Sequence, residues 1–254
     1  MKKAIFITGA ASGIGRATAL RFARDGWFVG LFDIDEPGLE ALHESIGKER
    51  ACHHRLDVTD PESIGQAMAF FAERTDGRID VLFNCAGILR TGVFEEMSLE
   101  THGQVIDVNA RGVLSCCHVA LPYLKASDDP CVVNACSASA LHGVPGFACY
   151  SATKFFVRGL TEALNIEWQR HGIRVVDVLP SFVDTPMARD NHHPMMDRQG
   201  VEVSPEQVAE VVARAARGSG PHYLVGAKVK ALSAVLGWLP GRPGRELFKL
   251  LSGY

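Results

Sequence analysis

From residue 3 onward, apolar runs of strand length alternate with amphipathic stretches of helix length over most of the chain. "KAIFI" (3–7), "WFVGLFD" (27–33), "ACHHRLDV" (51–58), "DVLFNCAG" (80–87), "PCVVNACS" (130–137), "IRVVDVLP" (173–180) and "HYLVG" (222–226) read as strands. Residues 14–26, 37–47, about 98–126 and about 147–171 carry helical spacing, as does "DPESIGQAMAFFAERTDG". "SPEQVAEVVARAARG" opens with Ser204 as N-cap, Pro205 at the first helical position and Gln207 completing a capping box. Near-continuous apolar strands that alternate with helices are buried in a parallel sheet covered on both faces. The expected fold class is therefore α/β, a doubly wound sheet of about seven strands. At 254 residues, 47% hydrophobic and 22% charged, the chain has the size and composition of one large globular domain. No linker-like tract divides it before residue 237, so 1–254 is predicted to be a single domain.

The same composition narrows the function. A formal net charge of −3 gives no bulk electrostatic case for nucleic acid. "MKKAIFITGA" has too short an apolar run for a signal peptide, and no stretch approaches the ~20 apolar residues of a membrane span. Seven cysteines, an odd number scattered through core-like segments, read as reduced thiols and predict a cytoplasmic protein. The "HH" pairs at 53–54 and 192–193 lack zinc-site spacing, and no metal is expected.

"TGAASGIG" (8–15) follows the first strand and opens the first helix. Gly9, Gly13 and Gly15 permit a tight turn and let backbone approach a pyrophosphate, which the helix N-terminus stabilises. Asp33 ends the second strand, where its carboxylate suits an adenosine ribose diol and repels a 2′-phosphate. "IDEP" after it adds Asp35 and Glu36 and no cation, so NAD is favoured over NADP. The plainer alternative is a solvated strand-end carboxylate. "YSATK" (150–154) puts Tyr150 and Lys154 on one helical face, as an acid–base pair or as an ordinary polar edge.

Taken together these motifs resemble the short-chain dehydrogenase/reductase family, in its subgroup of single-domain members, over residues 3 to 226. "TGAASGIG" is similar to the family's cofactor loop, and implies contacts from Gly9, Ser12, Gly13, Ile14 and Gly15. Asp57 and Val58 resemble its adenine-pocket pair, and "NCAG" its N-N-A-G turn, through Asn84, Ala86 and Gly87. "PSFVDT" resembles the segment under the nicotinamide, with Pro180, Val183 and Thr185, and with Ser181 in place of the family's glycine. Cys136 replaces a common serine but precedes the catalytic position. The resemblance implies a tetrad of Asn109, Ser137, Tyr150 and Lys154, with Tyr150 and Lys154 also touching NAD.

The chemistry has a physical basis. Holding a free phenol, of pKa ~10, as phenolate at neutral pH costs roughly 4 kcal/mol. A nearby cation such as Lys154 offsets part of that cost, while Ser137 holds the substrate oxygen against the phenol. Asn109 is implied to anchor a water in the proton path. The expected activity is hydride transfer between NAD and a moderately hydrophobic secondary alcohol or ketone. Alternatives are a non-catalytic dinucleotide sensor, an NADP-dependent carbonyl reductase, and an epimerase or dehydratase, whose larger C-terminal domain and loop spacing are missing from the sequence.

Residues 187–203 read as a substrate loop, with Met187, Met195 and Met196 as adaptable contacts, or as a plain surface excursion. The tail, 227–254, carries Leu232, Val235, Leu236 and Leu239 at helical spacing, and Lys228, Lys230, Arg242, Arg245 and Lys249 against Glu246. We read it as a cover for the substrate entrance. Packing against a partner subunit and weak peripheral contact with anionic lipid are the alternatives. The stretches 98–126 and 147–171 resemble those through which family members pair, which implies a homodimer or homotetramer.

Overall fold

The computed structural model describes residues 2–191, 193, 195, 196 and 200–236. Seven parallel strands form one sheet in the order β3-β2-β1-β4-β5-β6-β7. In chain order they are β1 (Ala4–Thr8), β2 (Phe28–Asp33), β3 (Ala51–Arg55), β4 (Val81–Asn84), β5 (Cys131–Ala135), β6 (Arg174–Pro180) and β7 (His222–Val225). Because successive side chains point to opposite faces, Ile5 and Ile7 enter one core and Ala4 and Phe6 the other.

Helices α1 (Gly13–Arg24) and α2 (Glu36–Ile46) pack against the first core, together with α8 (Pro205–Ala215). The second core is covered by α3 (Pro61–Ala72), α5 (Gly112–Lys125) and α6 (Ala148–Glu167). It is aromatic at its centre, where Phe6 stacks on Phe32 at 3.8 Å and meets the edge of Phe71 at 5.5 Å. Gly30 is there for space, since a Cβ would lie 2.6 Å from both the Phe32 and Phe71 rings. On the opposite face Arg21 of α1 reaches Glu210 of α8 at 2.6 Å, and Ser204 and Gln207 form the predicted capping box.

Several boundaries differ from the sequence reading by a few residues, and two of them have local reasons. The strand expected over 80–87 ends at Asn84, because the Cys85 and Ala86 amides donate to Thr8 Oγ1, each at 3.0 Å, instead of continuing the ladder. The helix expected over 98–126 is three pieces: α4 (Leu99–Ile106), a π-helical turn at Asp107–Arg111, and α5. A short helix, α7 (Pro186–Arg189), begins the loop after β6, and α9 (Ala227–Leu236) follows β7. The loop's base is pinned by pairing of Val183 with Val203. No described helix is long and apolar enough to cross a membrane.

Strand order reverses its direction of growth between β1 and β4, so the crossovers on either side leave to opposite faces. The crevice at the carboxyl ends of those strands is where open α/β sheets bind ligands.

Candidate active site

The crevice floor is the turn between β1 and α1. Gly9 has φ +69°, and a Cβ there would lie 2.7 Å from Ala86 N. A Cβ on Gly15 would lie 1.9 Å from Gly9 O. The turn is therefore folded tightly on itself and on the segment after β4, and its compactness leaves room above it. Ser12 stands at the N-cap of α1 but makes no side-chain cap bond, and the first helical turn holds no acidic residue. The positive end of that helix is thus left facing the crevice without an anion from its own first turn. These features fit a dinucleotide pyrophosphate.

Ser12, Ile14 and Gly13 line this first cleft with Gly9 and Gly15. Asp33 lines it too, at the end of β2, accepting from the Ala11 amide at 3.0 Å and the Asp35 amide at 3.1 Å. The carboxylate therefore ties the glycine turn to β2 and keeps lone pairs for a diol. Asp57 and Val58 form the adjoining wall. Thr59 donates to Asp57 Oδ1 through its hydroxyl, 2.7 Å, and its amide, 2.9 Å, which holds that carboxyl below the usual range. Ala86, Gly87 and Thr185 close the far side, and Met187 joins them here rather than in the neighbouring cavity.

That neighbouring cavity is lined by Ser137 and Tyr150 together with Leu89, Phe147, Phe182 and Met195, and Tyr150 packs beside the apolar cluster these form. Ser137 caps a short turn, Ala138–Ala140, by accepting from Ser139 N at 3.1 Å. Lys154, one turn along α6 from Tyr150, is buried; its Nζ donates to Ala135 O at 2.8 Å and lies 5.5 Å from the Tyr150 ring centroid. The ammonium thus stands behind the phenol, fixed by the end of β5.

Asn109 sits in the π-helical turn and is fully buried. Its side chain accepts from Ile88 N and donates to Ile88 O, both at 2.8 Å, and lies 3.4 Å from Thr153 Oγ1. Thr153 in turn donates to the Tyr150 carbonyl at 2.7 Å. The amide is committed to holding the segment after β4 against α6, and π-turns of this kind recur at functional sites.

Four predicted site residues stand behind the surfaces they were expected to form. Asn84 is buried and donates to Asn134 Oδ1 at 2.9 Å, and Asn134 continues the chain to Thr161. Pro180 ends β6, and Val183 lies in the first core. Met196 packs in a small cluster with Leu89, Val144, Phe147 and Met195. Conversely, Leu89, Phe147, Phe182 and Val229 line the second cavity although no sequence motif singles them out. Their only mark is an apolar side chain within a loop or just after a strand. Burial pushes the thiols of Cys85 and Cys136, beside the two spaces, up to about 12, so neither is a thiolate at neutral pH.

Comparison with known proteins agrees with this geometry. Residues 3–195 match the model of the short chain dehydrogenase family. Meso-2,3-butanediol dehydrogenase of Serratia marcescens is 36% identical over 217 residues, covering 83% of this chain and 86% of that protein. Cyclohexanol dehydrogenase of an Acinetobacter species is 35% identical over 220 residues, with coverage of 83% and 86%. Among solved structures, 3-ketoacyl-(acyl-carrier-protein) reductase from Brucella melitensis, complexed with NADH, superposes with a TM-score of 0.82 at 30% identity. That match covers 88% of this chain and 96% of the reductase.

Proposed function

The chain belongs to the short chain dehydrogenase family, and from that premise we propose that it is an NAD-dependent oxidoreductase interconverting a secondary alcohol and a ketone. The observation that carries the proposal is that Ser137 and Tyr150 line one cavity, with Lys154 held 5.5 Å from the Tyr150 ring centroid. The nicotinamide, when bound, supplies the hydride acceptor or donor. The glycine turn and the α1 N-terminus hold the pyrophosphate, Asp33 the ribose diol, and Asp57 and Val58 border the adenine. Ser137 orients the substrate oxygen, and Tyr150 exchanges a proton with it as hydride moves. Lys154 stabilises negative charge on the phenol oxygen. Asn109 positions the segment after β4 and α6, and any water in the proton path would meet its backbone, because its side chain is committed to Ile88.

The test is the absorbance change of NADH with secondary alcohols, starting with vicinal diols and cycloalkanols because of the relatives' substrates. Tight NAD binding without turnover of any alcohol or ketone would favour a sensor instead. Asp33 should make kcat/KM higher with NAD than with NADP. Asp33→Ala should narrow that ratio by relieving repulsion of the 2′-phosphate, and should weaken NAD as well because Ala11 N loses its acceptor. A wild-type preference for NADP would overturn this assignment.

In this reading the described part of the loop after β6 contributes Met195 to the substrate cavity, and Met187 lines the dinucleotide cleft. The reading of the tail as a cover is supported by Lys228 and Val229 on the second cavity, while residues 237–254 lie outside the described residues. Seven cysteines without a disulfide suit a cytoplasmic setting.

The chain also forms a homodimer or homotetramer in this reading. Leu99 and Ile106 on α4, Leu114 on α5, and Phe155, Phe156 and Ile166 on α6 are exposed, with Leu99 at 87%. An apolar surface on neighbouring helices is unusual for a monomer. Sedimentation velocity at micromolar concentration should give a dimer or tetramer, and Phe155→Glu with Phe156→Glu should reduce it to monomer. A monomeric wild type would remove the assembly from the proposal.

A further inference from the structure

The cavity that holds Ser137 and Tyr150 is largely apolar, yet Lys228 stands on its wall. Lys228 and Ser181 also line a second, more polar space, between the loop at 200–203 and the N-terminal turn of α9. The two spaces meet at those side chains. Lys228 Nζ donates to Glu202 Oε1 at 2.5 Å, with both side chains more than half exposed, at 55% and 64%. An ion pair so open to water contributes little to stability, and another anion exchanges with it at little cost.

A further feature biases this place toward negative charge. The start of α9, Ala227 and Lys228 with Gly226 just before it, lines the same space, and a helix start carries partial positive charge. Glu202 is the counterweight, because its carboxylate repels a second anion while it pairs with Lys228.

We propose that Lys228 is a specificity determinant that receives a carboxylate at the far end of the substrate, and that Glu202 is the exchangeable occupant of the same ammonium. The proposal rests on the reading of Ser137 and Tyr150 as the pair that holds the reacting oxygen. It narrows the substrate class to an alcohol or ketone whose apolar body packs on Phe147, Phe182 and Met195 and ends in a carboxylate.

The experiment compares keto acids of graded chain length with their methyl esters, using NADH, in the wild type and in K228M, K228R and E202Q. Lys228→Met should lower the acid-to-ester ratio of kcat/KM by roughly tenfold or more, the size of a charge-assisted hydrogen bond. Lys228→Arg should restore most of that ratio. Glu202→Gln should raise it, chiefly through KM, because the competing carboxylate is gone. An unchanged ratio in Lys228→Met, or a wild type indifferent to the carboxylate at every length, would overturn the proposal. If the wild type turned over neither series, the diols and cycloalkanols would still judge the proposed function, and binding would judge Lys228. The acids must then raise the melting temperature of Tyr150→Phe but not of Lys228→Met, and equal shifts would sink the idea.

Discussion

Tyr150→Phe should lose almost all turnover while binding NAD as tightly as the unmodified protein. The substitution deletes one oxygen and keeps the ring, which lies 6.5 Å from Phe147 and 5.5 Å from Lys154 Nζ. Packing of α6 and the Lys154 bond to Ala135 O should therefore survive. What disappears is the only group proposed to exchange the hydroxyl proton. Positioned acid–base catalysis contributes about a hundred- to ten-thousandfold, so kcat should fall within that range. That corresponds to roughly 3–5 kcal/mol of barrier. Isothermal titration with NAD alongside the NADH absorbance assay separates chemistry from binding. Retention of more than about a tenth of kcat, ~1.4 kcal/mol of barrier, would remove Tyr150 from the acid–base role. A comparable loss of NAD affinity would instead place the phenol mainly in cofactor binding.

What the sequence made legible has a common physical origin: it was written in local patterns. Strand–helix alternation specifies the seven-stranded parallel sheet, because runs such as "AIFIT" and "VLFN" are buried on both faces. The spacing of Tyr150 and Lys154 survives as geometry because an unbroken helix, α6, carries both. Ser204 and Gln207 cap as read because a capping box needs only residues within one turn. The π-turn at Asp107–Arg111 was invisible, since one extra residue in a turn leaves no periodic mark. Asn84 shows a different limit. Motif position put it beside the cofactor, but its side chain points into the sheet, toward Asn134 and Cys117. Which methionine faces which space was equally hidden, because Met187 and Met195 differ only by the path of the loop between them. Phe147 and Phe182 reach one cavity from segments far apart in sequence, so no window of the chain displays them together.

Gly15→Ala should abolish usable NAD affinity, although it adds a single methyl group. The new Cβ would lie 1.9 Å from Gly9 O, 2.7 Å from Gly9 C and 3.1 Å from Ala10 Cα. All three are backbone or main-chain atoms, so no side chain can swing aside to make room. Gly9 cannot retreat easily, because it packs against Ala86 and its φ of +69° belongs to a conformation that favours glycine. The turn would have to open, taking with it the amides proposed to hold the pyrophosphate and loosening the Ala11 bond to Asp33. We expect NAD affinity to fall by roughly a hundredfold or more, alongside a stability loss of about 1–3 kcal/mol typical of overpacking. Gly65→Ala is the matched control. It lies within α3 with nothing near its added Cβ, so it should leave NAD binding unchanged and stabilise by up to about 1 kcal/mol. Fluorescence titration with NADH and thermal melts of the two variants give both quantities. Wild-type affinity in Gly15→Ala would mean that the turn does not cradle the dinucleotide, and the cleft between β1 and β4 would need another ligand.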